Sequence, residues 1–103
     1  MTDREKIKTL IKEELEAANE KYPLFHSSHE AYAVLQEEVE ELYGEVHDIR
    51  EYMTFLWDDV KEDINIEGNA RKIRNIAIHA VQEAIQVAAM CEKIKDSDLY
   101  KNL

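Results

Sequence analysis

Residues 28–63 read SHEAYAVLQEEVEELYGEVHDIREYMTFLWDDVKED, and apolar residues recur there at alternating spacings of four and three. The members of this seam are Leu35, Val39, Leu42, Val46, Ile49, Met53, Leu56 and Val60. Such spacing forms one apolar line along an α-helix and is typical of a helix packed against another. The stretch predicts one helix roughly 54 Å long. Gly44 leaves a kink or break near residues 44–48 as an alternative, but the seam does not skip there and favours continuity.

A shorter helix is predicted before this stretch. Thr2 and Glu5 have the spacing of a capping box, which satisfies the first amides of a helix. Apolar residues at helical spacing follow, and Pro23 disfavours continuation, so the helix is expected over about residues 3–21.

A third helix is predicted over about residues 70–95, with Asn69 as its N-cap. It carries two apolar faces, which favours a central position in a bundle or a place at an oligomer interface. Residues 96–103 lose the pattern and are expected to fray. Residues 1–103 are therefore expected to form one all-α domain, a helical bundle with one long central helix. Because so short a chain cannot cover that helix, a homodimer or homotetramer is expected.

Composition excludes several classes of protein. The formal net charge is −10, whereas a protein that binds a nucleic-acid duplex needs a basic face. The two glycines and one proline are too few for an all-β chain. No apolar run approaches the roughly 18–20 residues that cross a bilayer, and residues 1–6 do not resemble a signal peptide, so no membrane association is expected. A single cysteine suits a cytoplasmic location.

The excess negative charge lies entirely on the seam stretch. Residues 28–63 contain 12 acidic and 2 basic residues, a charge of 2 − 12 = −10, while the rest of the chain has 11 of each. A solvated helix face is one interpretation. The other is a site for a divalent cation, because a hard cation with oxygen ligands relieves the repulsion between carboxylates.

The candidate metal ligands are few. Glu38 and Glu41 are three residues apart, on one face of the long helix, and are able to bind one Mg²⁺ together. Glu83 is the one acidic residue in a mostly apolar stretch of the third helix, where an unpaired carboxylate is costly to bury. It is therefore expected to be exposed, bound to a metal, or paired with an arginine or His79. His79 and Glu83 are also spaced to hold a transition metal.

Other reactive residues have simpler interpretations. Cys91 lies on an apolar seam, and Tyr43 and Trp57 lie beside seam residues, so all three are expected to pack in the core. A basic cluster at the start of the third helix is expected to be surface charge, or a phosphate-binding group if it lies near a metal: Arg71, Lys72 and Arg74.

Two motifs resemble a known family. Glu37-Glu38-Val39-Glu40-Glu41-Leu42 is similar to the E-E-x-x-E motif of the MazG-like all-α nucleotide pyrophosphohydrolases, and Glu83-Ala84-Ile85-Gln86 to their later E-x-x-D. The stretches around both motifs resemble a branch found in phages and Gram-positive bacteria. The resemblance spans about residues 24–94.

The resemblance implies an oligomeric helical bundle that hydrolyses nucleoside triphosphates to a monophosphate and pyrophosphate, with Mg²⁺ as cofactor. The implied metal ligands are Glu38, Glu41, Glu83 and Gln86. Glu37 is then the group that orients or deprotonates the attacking water. The implied substrate-binding residues are Arg71, Lys72, Arg74 and His79.

Two departures from the family pattern keep alternatives open. Gln86 replaces a carboxylate by a neutral amide, and Glu41 and Glu83 are 42 residues apart, longer than is usual. The leading hypothesis is a house-cleaning nucleotide pyrophosphohydrolase. The second is a catalytically inactive helical oligomer that serves as a protein-interaction module, and the third is a metal or nucleotide sensor.

Overall fold

A computed structural model describes residues 1–22 and 24–99. This part of the chain forms three α-helices and no strand: α1 (Asp3–Lys21), α2 (Ser28–Lys61) and α3 (Glu67–Asp96). The prediction of an all-α fold is confirmed. Helix α3 packs against both α2 and α1, so the central element is α3, as its two apolar faces predict, rather than the longer α2. No helix in the described residues is long and apolar enough to cross a membrane.

The first two helices begin where side chains satisfy their free amides. Thr2 Oγ1 accepts a hydrogen bond from the Glu5 amide (3.1 Å), and Glu5 returns one to the Thr2 amide (3.2 Å), which completes the predicted capping box. Ser27 Oγ accepts from the Glu30 amide (3.1 Å) at the start of α2. Helix α1 ends at Lys21, as predicted, while Pro23 lies outside the described residues.

The turn between α2 and α3 corrects two predicted boundaries. Helix α2 ends at Lys61 rather than residue 63, because Asp63 has a left-handed backbone (φ 55°) that a helix cannot contain. Helix α3 begins three residues before the predicted start, at Glu67, whose amide donates to Asn65 Oδ1 (2.8 Å). Asn69 is therefore not the N-cap. It lies inside α3, and its Nδ2 donates to Asp59 Oδ2 of α2 (2.6 Å).

The C-terminal boundary also differs slightly from the prediction. Asp96 still belongs to α3, and residues 97 and 98 form a turn that follows it. The expected fraying of residues 100–103 lies outside the described residues.

The predicted seam of α2 divides into two rows. The helix passes through Gly44 without a break, as the unbroken seam favours. The first row is half-buried and consists of Leu35, Leu42, Ile49 and Leu56. The second row, the exposed seam row, is 42–51% exposed and consists of Val39, Val46, Met53 and Val60. Each row repeats every seven residues, so one chain covers only one of the two lines of its heptad pattern.

The buried core lies at one end of an elongated molecule. Phe25, Ala31, Ala89 and Met90 form it, where α1, the start of α2 and the end of α3 meet. The radius of gyration is 18.0 Å, against ~13 Å for a compact chain of this length. Described apolar residues far from this end are therefore at most half-buried within one chain.

Three residues that were expected in the core are exposed. Tyr43 is 72% and Trp57 58% exposed, and Cys91 is also on the surface. These predictions are wrong because residues that flank an apolar seam are buried only where a neighbouring helix covers them. In the single chain α3 reaches just one side of α2.

Candidate metal centre

Three glutamates from two helices converge at the contact between α2 and α3. One carboxylate oxygen each from Glu38, Glu41 and Glu83 lies within 4.8 Å of the other two. Glu38 and Glu41 share a face of α2 because they are three residues apart, and Glu83 reaches them from α3. We call this group the carboxylate triad. Carboxylate oxygens at this separation are able to bind one hard divalent cation together.

The triad is short of hydrogen-bond donors. Glu83 is only 8% exposed and Glu38 is half-buried, while Glu41 is exposed. The Oε2 atoms of Glu38 and Glu83 are buried and have no hydrogen-bond partner among the described residues. A buried carboxylate oxygen without a donor is unfavourable, so the site favours a proton or a cation.

The raised pKa values of the triad also indicate that the site favours a proton or a cation. Burial raises the pKa of Glu83 to about 7, and a hydrogen bond with Glu41 together with the charges of Glu41 and Glu38 acts in the same direction. Burial, and then the Glu41 charge, also raises the pKa of Glu38. The three groups therefore resist being ionised together without a cation.

The alternative of an ion pair for Glu83 does not occur among the described residues. His79 Nδ1 instead contacts Glu45 Oε1 of α2, one turn beyond Glu41. The Glu45 carboxylate raises the pKa of His79, first through this hydrogen bond and then through its charge. His79 is therefore held by Glu45, while Glu83 is left to the triad.

A groove of about 980 Å³ begins at Glu38 of the triad and runs along α1, and we call it the α1 groove. Both Glu38 and Gln86 line it, so Gln86 lies beside the triad on α3. His79, Glu83 and Gln86 line a second, smaller groove on the same face of α3. Gln86 thus stands between the two grooves.

The remaining predicted site residues do not join the triad within one chain. Glu37 is exposed on α2, where its charge contributes to the raised pKa of Glu38. The basic cluster is also exposed, and its members contact residues outside the triad: Arg71 with Glu67 (3.4 Å), Lys72 over the Tyr52 ring of α2 (5.4 Å) and Arg74 with Asn75 (3.2 Å). Arg74 precedes Glu83 by nine residues, about 13.5 Å along the helix. Phosphate binding by this cluster stays a prediction.

Comparison with known proteins adds no family assignment. No family model matches the chain, and no match is found among curated proteins or solved structures.

Two residues that line the α1 groove were not singled out from the sequence. Glu14 of α1 lines both grooves, and its charge contributes to the raised pKa of Glu38. Nothing distinguishes it from its neighbours Glu13 and Glu16 in the sequence. Lys93 lines the α1 groove and is only 4% exposed. The sequence indicates the position of Lys93 only through its spacing from Gln86, since residues seven apart lie two helical turns apart on one face.

A second group of potential metal ligands lies outside the predicted site. His47, Asp48 and Glu51 bring one ligand atom each within 4.8 Å of one another, but all three side chains are exposed. Such exposed polar groups are satisfied by solvent, so the arrangement does not by itself indicate a metal site.

Proposed function

We propose that this protein is a Mg²⁺-dependent nucleoside triphosphate pyrophosphohydrolase that converts an NTP or dNTP to a monophosphate and pyrophosphate. The observation that supports this is the carboxylate triad, with two buried oxygens that have no donor among the described residues. A hard cation with oxygen ligands satisfies such atoms and offsets the repulsion that raises the pKa of Glu83. The resemblance of the two motifs supplies the reaction. A house-cleaning role in the cytoplasm, on standard or non-standard nucleotides, is part of the proposal.

Each residue has a proposed part in this reaction. Glu38, Glu41 and Glu83 hold the cation, and Gln86 offers an amide oxygen beside them. A bound Mg²⁺ neutralises phosphate charge and lowers the pKa of a coordinated water. Glu37, next to Glu38 on α2, accepts a proton from the attacking water at its carboxylate. His79 and the basic cluster around residues 71–74 are proposed substrate ligands.

Gln86 makes this site weaker than one with four carboxylates. An amide oxygen is a ligand for Mg²⁺, but it brings no negative charge, so the affinity for the ion is expected to fall. The proposed activity therefore requires assays at high Mg²⁺ concentration.

We expect pyrophosphate release from at least one nucleotide in a panel of ribo- and deoxynucleoside triphosphates at a high Mg²⁺ concentration. Pyrophosphate release is expected to stop when EDTA removes the Mg²⁺, because the triad then has no cation. Ion chromatography of the products separates pyrophosphate plus monophosphate from orthophosphate plus diphosphate. An inert protein across the whole panel, with normal helical content, would overturn the proposal.

The second candidate function is a catalytically inactive helical oligomer that binds other proteins. The exposed seam row favours it, since its four residues form an apolar line that the chain itself does not cover. Self-association and catalysis are compatible, however, so the panel of nucleotides decides between the two functions.

We also propose that the exposed seam row packs against a second copy of this chain. Charged substitution of two of its residues, Val46→Glu with Met53→Glu, is expected to convert the oligomer to a monomer, because burying two carboxylates at an apolar contact is costly. Size-exclusion chromatography with light scattering measures the mass. The matched control is His47→Glu with Thr54→Glu, exposed residues of α2 that have the same seven-residue spacing but lie outside the row. A wild-type mass near the 12.1 kDa of one chain would contradict the proposal.

A further inference from the structure

The α1 groove extends well beyond the triad and has the character of a ligand site. Its walls are mostly apolar, with Ala17 and Ala18 on the α1 side and Met90 on the α3 side. Glu38 and Gln86 lie at one end and the buried Lys93 at the other, and the groove is also lined by the polar residues Glu14, Lys21, His26 and Glu30. A concave apolar site with a few placed polar groups is the usual form of a small-molecule pocket, and its volume lies within the usual range.

The far end of the groove holds a buried cation. Lys93 is 4% exposed, and its Nζ donates to the Tyr22 carbonyl oxygen and lies 4.8 Å from the centre of the Phe25 ring. No carboxylate forms an ion pair with it in the part of the chain that the structure describes. An ammonium group has three donors and no acceptor. Further donors of Lys93 are thus available to an acceptor in the groove.

The distance between the two ends sets the size of the ligand. Gln86, Met90 and Lys93 are spaced by four and three residues, so they share one face of α3 and form the floor of the groove. Lys93 is ten residues beyond Glu83, roughly 15 Å along the axis. A phosphate held at the triad is too far from Lys93 to contact it, so a nucleotide bound there contacts Lys93 only when its base lies in the α1 groove.

We propose that the α1 groove receives the base of the nucleotide and that Lys93 determines specificity by donating a hydrogen bond to a ring carbonyl oxygen. This inference rests on the proposed function, because the triad is taken to hold the phosphates. Bases with a carbonyl group, such as hypoxanthine, guanine and the pyrimidines, satisfy Lys93. Adenine carries an amino group at the position where hypoxanthine carries its carbonyl oxygen, and it leaves the buried ammonium without that acceptor.

The test compares inosine triphosphate with adenosine triphosphate, which differ chiefly at this position. The wild-type kcat/KM is expected to favour inosine triphosphate by at least about tenfold, as a hydrogen bond to a charged group allows. Lys93→Met is expected to bring that ratio close to one. Lys95→Met removes a lysine of the same helix that is 78% exposed and is expected to leave the ratio unchanged. A wild-type ratio near one, or a ratio unchanged in Lys93→Met, would overturn the inference.

A second variant covers the case in which Lys93→Met unfolds. Ala17→Trp fills the groove from an exposed position of α1 and is expected to reduce binding of inosine monophosphate at least about tenfold, since the base loses its space. Ala70→Trp is the control at an exposed alanine of α3 outside the groove. Calorimetry of inosine monophosphate and adenosine monophosphate in EDTA makes this measurement without catalysis. Selective binding of the former without any hydrolysis would reject the proposed function while supporting the base site, and equal binding would reject the base site.

Discussion

Glu83→Gln is expected to lower Mg²⁺-dependent pyrophosphate release by at least about 100-fold, because it removes the one charged ligand that α3 contributes to the triad. Losing a group that merely supports a metal ligand already costs about 10–100-fold, so losing a ligand is expected to cost no less. Glu38→Gln is expected to have a similar effect from the α2 side. The measurement is kcat/KM at saturating Mg²⁺ with the preferred nucleotide.

The matched control for this loss is Glu16→Gln. It makes the same chemical change at an exposed position of α1 and is expected to retain the wild-type rate. Circular dichroism and light scattering establish that all the variants keep the helical content and mass of the wild type. Full activity in a correctly folded Glu83→Gln protein would show that the triad is not the catalytic centre.

The three helices could be predicted from the sequence because apolar spacing and caps are local. The capping box of Thr2 and the seam of residues 35–60 specify helices without reference to the rest of the chain. The start of α3 could not be placed in this way. The sequence offers Asn69 as the N-cap, but the helix begins at Glu67, and the contact of Asn69 with Asp59 depends on how α2 and α3 pack.

The difference between local spacing and the packing of helices also explains what could be predicted of the triad and its surroundings. The spacing of Glu38 and Glu41 and the isolation of Glu83 were visible in the sequence, and the structure brings these three together. Glu14 and Lys93 were not predicted because their position depends on how α1 and the segment after it pack onto α3. The burial of Tyr43 and Trp57 was overestimated for a related reason. A heptad seam predicts that a helix has a partner, but it does not show which row the chain itself covers.

Glu83→Gln is also expected to stabilise the metal-free protein. Burial raises the pKa of Glu83 to about 7, so between its ordinary value of 4.5 and pH 7 the folded chain binds a proton that the unfolded chain has lost. The free energy of unfolding therefore falls as the pH rises through this window and levels off above it. Glutamine has no proton to lose, so the difference between Glu83→Gln and wild type should grow from pH 5 to pH 8 in EDTA.

We expect Glu83→Gln to melt higher than wild type at pH 8 in EDTA by about 4–8 °C, which corresponds to roughly 1 kcal/mol for a domain of this size. The expected gain in the free energy of unfolding is small because Glu41 is exposed and solvent screens part of the repulsion in the triad. Mg²⁺ should reverse the order, since binding to the folded wild type raises its stability and Glu83→Gln loses that gain. Thermal melts at pH 5 and pH 8, with EDTA or Mg²⁺, measure both effects. A variant that melts below wild type in EDTA at pH 8 would mean that Glu83 is stabilised by contacts rather than held under charge repulsion.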